Sequence, residues 1–283
     1  MFKFGVEVEL YNIKRSDVCK CTSKVLSKNN IKSKMTEYRN KRRNLCYRLD
    51  SDIGTWYCKC DVSLHNDLNA KKPYSQEKTC ELVTPVLTEK NLNLFYNIID
   101  EIINAGGRCD YDHGCVIHVH IDDKIFSCED LVHVLTYHHV LYPSIASKFK
   151  FTQDQIADRI KDLPSRFIDY INMKNNISLK DLQYSWYEFC STEPTNKPYN
   201  KSRYSIVNLH SLFFNKTGVE FRYFKIDKLS RENVKGIMVF LLNILDFMIN
   251  DKSNFYYYNI EDVIDKFDIS EEDKRDINGL LHT

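Results

Sequence analysis

Glycine and proline are scarce, at 8 and 6 of 283 residues, which excludes collagen-like repeats and linker-rich architectures. Long apolar runs are missing as well. The longest, Gly236 to Ile249, is broken by Asn243 and Asp246, so it predicts a buried helix rather than a membrane span. Neither sign of charge dominates, with 40 Lys+Arg against 39 Asp+Glu. No GxxxxGK[ST], GxGxxG or GxSxG occurs, which excludes a P-loop, a dinucleotide fingerprint and a hydrolase nucleophile elbow. Glu7 and Glu9 stand where an export signal needs its apolar core. The ten cysteines are therefore expected as free thiols of a reducing, cytoplasmic compartment. Their CxC pairs, Cys19/Cys21 and Cys58/Cys60, lack the spacing of structural zinc sites, and Cys58 and Cys60 are expected as buried thiols.

Hydrophobic residues make up 43% and charged residues 28%, a balance that folds rather than stays disordered. The length suits one large domain or two, at roughly 150 residues per domain. The balanced total hides an asymmetry. Tyr11 to Asp50 holds 12 Lys+Arg and 3 acids. That surplus is either a solvated basic face or a docking surface for an acidic partner.

Helical periodicity predicts helices over 92–105, 128–148, 152–162, 230–249 and 259–266, with Ser127 and Ser230 as caps. His138-His139 falls within the second and is expected as packing or surface. Residues 192–201 read as a loop. The aromatic run 255–258 is expected in the core, with base stacking as the other reading.

Strands stand out through alternation. Phe4, Val6, Val8 and Leu10 share one face, opposite Glu7 and Glu9. The segment 56–64 sets Trp56, Cys58 and Cys60 against Lys59 and Asp61, and 115–121 sets Ile117 and Val119 against His118 and His120. Strand 78–83 carries Glu81, and 219–224 carries Glu220 and Arg222 on one face. One greasy and one polar face per strand indicate antiparallel pairing, hence an α+β fold with helices on the greasy side.

If these strands share a sheet, Glu7, Glu9, Asp61, Glu81 and Glu220 converge, with only Lys59 and Arg222 as local positive charge. Such crowded acids repel one another unless something neutralises them. Hard divalent cations do so, and carboxylates suit Mg²⁺ or Mn²⁺. On this reasoning, removing one charge at Glu7, Glu9 or Glu220 leaves metal-free stability level or higher.

The segments FGVEVEL (4–10), CDVSL (60–64), CELVTPVL (80–87), GCVIHVHI (114–121), RYSIVNL (203–209) and GVEFRYF (218–224) resemble, in this order, the amidoligase family of the carboxylate–amine ligase superfamily. Val116-Ile117 stands where that family often has a small residue. The resemblance implies one catalytic domain over 1–283 with a curved, glutamine synthetase-like antiparallel sheet. It also implies a basic insertion at about 11–50 and a helical one at about 126–200. ATP and Mg²⁺ or Mn²⁺ are the implied cofactors, used to join a carboxylate donor to an amine acceptor through an acyl phosphate. The implied metal ligands are Glu7, Glu9, Glu81 and Glu220, with His118 or His120 joining a metal or a phosphate. Asp61 lies near the amine or a metal, Asp61 or Glu81 takes the ammonium proton, Arg203 and Arg222 clamp phosphate or carboxylate, and Asn208 is a polar contact. Small-molecule and protein substrates both remain open, and neither a membrane nor a nucleic-acid partner is expected. Two other readings stand beside it: a metal-dependent hydrolase, and a non-enzymatic binder of an acidic partner.

Overall fold

A computed structural model describes residues 1–61, 64, 78–158, 160–191, 193–250 and 259–282. Val62, Ser63, Thr192 and the aromatic run 255–258 lie outside these residues. The chain forms two compact units, one of 1–119 and 224–235, the other of 120–223 and 236–282.

The first unit is built on β1 (Lys3–Tyr11), β2 (Ser33–Arg39), β3 (Leu45–Ser51), β4 (Gly54–Lys59), β5 (Thr79–Val83), β6 (Leu87–Thr88) and the start of β7 (Ile117–Ile121). Its strands run in the order β2-β3-β4-β5-β1-β7, with β6 beside the start of β1. The pairs β1–β5, β2–β3, β3–β4 and β4–β5 are all antiparallel. Alternation does what the sequence predicts: Phe4, Val6, Val8, Leu10, Trp56, Cys58 and Leu82 are buried to 1% exposure or less. Helix α1 (Arg15–Lys28) packs on β2 to β5 and on α2 (Leu92–Asn104). Val18, Cys19, Thr22, Val25 and Leu26 form its buried face, at the i, i+4, i+7 spacing of a helix against a sheet. Cys58 is buried as expected, whereas Cys60 is only half-buried.

The basic stretch 11–50 forms the end of β1, α1 and the β2–β3 hairpin. One expectation changes here. The 56–64 strand ends at Lys59, with Asp61 just beyond it.

The second unit carries α3 (Cys128–Lys148), α4 (Gln153–Asp158), α5 (Ser165–Met173), α6 (Leu179–Cys190), α7 (Arg231–Asn250) from Gly236 onward, α8 (Ile260–Ile264) and α9 (Glu271–His282), with β8 (Val207–Asn208) antiparallel to β9 (Val219–Phe224), whose last residue falls in the first unit. Ser127 caps α3 by accepting from the Asp130 N–H at 3.0 Å, and Ser230 accepts from the Asn233 N–H at 3.1 Å. The run 236–249 lies inside α7 and is buried along one side. Helix α4 is shorter than its periodicity suggests. Gly218 precedes β9 with φ +87°, and a Cβ there would sit 2.2 Å from the Ile121 carbonyl oxygen. Only glycine fits this approach. Among the described residues no helix is long and apolar enough to cross a membrane.

His138 is core packing. It is fully buried, with rings of Phe221 and Tyr223 at 5.3 and 5.7 Å. Its Nδ1–H donates to the Val134 carbonyl at 2.7 Å, and the Tyr223 hydroxyl lies 3.3 Å from Nε2. Burial lowers its pKa to about 4. The unfolded chain binds this proton from its ordinary value near 6.5 downward, so stability is lost as pH falls from there towards 4. The linkage amounts to about 3 kcal/mol. His138→Phe is expected to flatten the fall of the melting temperature between neutral pH and about pH 4.5. Parallel slopes for variant and parent would contradict this.

Candidate functional site

In the first unit the register of three strands assembles the acids. Glu9 lies opposite Glu81, and Glu81 lies opposite Lys59. Glu7, two residues before Glu9, shares that face. Glu9 is 7% exposed. Its Oε2 accepts the Val116 N–H at 3.0 Å, and its own N–H donates to the Val116 carbonyl at 3.1 Å. A main-chain group therefore orients this carboxylate. His118 Nδ1 lies 3.7 Å from Glu7 Oε2. Lys59 Nζ sits 5.9 Å from the Tyr57 ring centre.

Burial first, then the negative charges of Asp61 and Glu81, pushes the Glu9 carboxyl well above its ordinary range. Burial likewise raises Glu81, to about 8, with Glu7 adding to the rise and Lys59 opposing it. Asp61 adds its own repulsion to both. Glu7, Glu9, Asp61 and Glu81 thus crowd one another more than one lysine offsets. Without a cation, part of the cluster holds protons at neutral pH.

A further group on the same strand was not legible in the sequence. Tyr11 ends β1, its hydroxyl donates to Asp110, and its ring stacks on His113 at 3.8 Å between centres. Asp110 also accepts the His113 N–H at 3.0 Å and faces His113 Nδ1 at 2.7 Å. Burial alone would raise Asp110, but these hydrogen bonds hold it below the usual carboxylate value. Tyr11 and Asp110 are 99 positions apart, so no local spacing announces them.

In the second unit β8 and β9 join Asn208, Glu220 and Arg222. Asn208 lies opposite Glu220, and its Nδ2 donates to Glu220 Oε2 at 2.5 Å. Arg222 Nη1 donates to Glu220 Oε1. Glu220 is 5% exposed and the Arg222 side chain 11%. The Arg222 Nε is buried with no hydrogen-bond partner among the described residues. Asn208 Oδ1 accepts the His210 N–H at 2.8 Å. His210 Nδ1 meets the Tyr187 hydroxyl at 2.8 Å, and burial lowers its pKa. Arg203 lies over the rings of Tyr199 and Tyr204, at 5.3 and 5.4 Å. His120, half-buried, opens the second unit.

A family model described as "Putative amidoligase enzyme" matches residues 1–242. The chain belongs to the amidoligase family. Membership gives it a ligase-type function, and the matched stretch contains all ten residues singled out from the sequence. The stretch 11–50 also lies within the matched residues of this amidoligase. No curated protein matches the chain.

Proposed function

We propose that the chain is an ATP-dependent carboxylate–amine ligase that forms an amide or isopeptide bond through an acyl phosphate. The carrying observation is the cross-strand pair of buried Glu9 and half-buried Glu81, flanked by Glu7 and Asp61, in a chain of the amidoligase family. Its donor set is carboxylate oxygen with one imidazole beside it, which suits Mg²⁺ or Mn²⁺. Glu7, Glu9 and Glu81, with His118, would hold such ions in the first unit, while Glu220 and His120 are the ligands the second unit offers. When bound, these ions neutralise phosphate charge.

The chain's own residues do the rest. Arg222 has an unused buried Nε–H to offer an anionic oxygen, and a guanidinium grips carboxylate or phosphate by two prongs. Asn208 holds Glu220 in place and Arg203 supplies a second guanidinium. The substrate carboxylate oxygen bonds the γ-phosphorus as the bond to ADP breaks. The amine nitrogen then bonds the carbonyl carbon as phosphate leaves. Asp61 or Glu81 takes the ammonium proton.

Nucleotide products distinguish this reading from its rivals. ATP is expected to give ADP and phosphate, and only with both a carboxylate and an amine present. AMP with pyrophosphate would overturn the acyl-phosphate route, and amide hydrolysis without ATP would make the chain a hydrolase.

A further inference from the structure

The β2–β3 hairpin ends the strand order of the first unit. Its turn closes with the Asn40 N–H donating to the Asn44 carbonyl at 3.0 Å, and the Asp52 N–H donates to the Lys32 carbonyl at 3.3 Å. Antiparallel ladders alternate. Between those two pairs, Lys34, Thr36 and Tyr38 bond inward to β3, so the backbone groups of Ser33, Met35, Glu37 and Arg39 point outward. No described strand pairs with that outer side.

The edge is strongly cationic. Lys32, Lys34, Arg39, Lys41, Arg42 and Arg43 are all exposed, and Glu37 is the one acid from Ile31 to Asn44. Like charges on an edge block pairing with a second copy of the chain. A strand of opposite sign meets no such barrier. Next to the edge lies a concavity of about 360 Å³ lined by Thr36, Tyr38, Arg48 and Tyr57. One cross-strand row leads from it to the acids: Thr36 opposite Arg48, Arg48 opposite Tyr57, Tyr57 opposite Val83, and Val83 opposite Glu7. Four strand spacings of about 4.8 Å make this path about 19 Å, which roughly six extended residues span.

We infer that β2 is the docking edge for an acidic, extended polypeptide, which adds as a strand and sends its free end across the concavity of Thr36, Tyr38, Arg48 and Tyr57 towards Glu7. Backbone hydrogen bonds along β2 supply register, and the cations supply selectivity for acidic side chains. The inference rests on the ligase reading for its purpose, since it names an acidic polypeptide as the substrate class, but the binding stands on the hairpin itself.

The test uses the full chain without nucleotide and a fluorescent α-linked oligoglutamate, with oligolysine and a single-stranded RNA of matched charge as comparisons. Oligoglutamate is expected to bind in a salt-sensitive way, oligolysine not at all, and RNA more weakly. The triple reversal Lys41→Glu, Arg42→Glu, Arg43→Glu is expected to weaken binding at least about tenfold. Met35→Pro removes one outward N–H and leaves the inward ladder whole, so it should also weaken binding. Equal binding by the triple variant, or tighter binding of RNA, overturns the acidic-peptide assignment. Unchanged binding by Met35→Pro overturns strand addition. Peptide binding without any ADP formation would instead count against the ligase reading, and ADP formation with small substrates but no peptide binding counts against this one.

Discussion

Glu9→Gln is expected to cut ligation on the order of 10³-fold while the metal-free protein melts at the same temperature or higher. Burial first, and then the neighbouring acids, push the Glu9 carboxyl towards the neutral form, so a neutral amide is tolerated there and adds no repulsion. The side-chain oxygen of glutamine can still accept the Val116 N–H that Glu9 accepts. Glu220→Gln should behave differently in stability. Sequence alone groups Glu220 with the other acids, but the structure binds it to Arg222 and Asn208 in a nearly closed environment. Removing its charge leaves a buried guanidinium without its counter-ion, a loss of about 3 kcal/mol. Thermal melts of the two variants in chelator check the contrast. If Glu9→Gln melts as low as Glu220→Gln, Glu9 is a structural partner rather than one of a crowded, cation-seeking set.

Above the window in which His138 titrates, the metal-free protein is expected to lose stability as pH rises from about 6.5 to about 8.5. Glu81 has a folded pKa of about 8 against an ordinary value of 4.5. Between those values the folded state holds a proton that the unfolded state has released, so the slope of stability with pH is negative there. Glu9 is raised in the same direction and adds to the effect. Millimolar Mg²⁺ should remove most of the loss, since a ligand that binds only the ionised, folded cluster stabilises it by mass action. The melting-temperature gain on adding Mg²⁺ is thus larger at about pH 8.5 than at about pH 5. A gain independent of pH, or none at all, would mean that no cation sits among these carboxylates.

How far the sequence carries depends on which physics writes the pattern. The alternation in β1, β5, β7 and β9 was legible because one face is buried and the other polar, and that same alternation exposed Glu7, Glu9, Glu81, His118 and Glu220. The α1 helix and the β2–β3 hairpin were hidden by their charge. Cysteines and threonine fill part of the buried face of α1, and β2 is exposed along most of its length, so neither shows a clean apolar rhythm. Helices α5 and α6 are short, and their buried aromatic positions are interleaved with polar residues. Tyr11, Asp110 and His113 come together only through the return of the chain to the end of β1. The Val116 N–H that orients Glu9 is main chain, which leaves no mark in the identity of any residue.

Mn²⁺ binding followed by electron paramagnetic resonance, on the full chain and on Glu9→Gln and Glu81→Gln, tests the central claim most directly. Immobilised Mn²⁺ is expected in the parent at neutral pH, with binding weakened by at least about tenfold in each variant and broadened further when ATP is added. Parent and variants that bind Mn²⁺ alike, or a parent that leaves all the Mn²⁺ free in the presence of ATP, would contradict the assignment of these carboxylates to a cation-dependent ligase site.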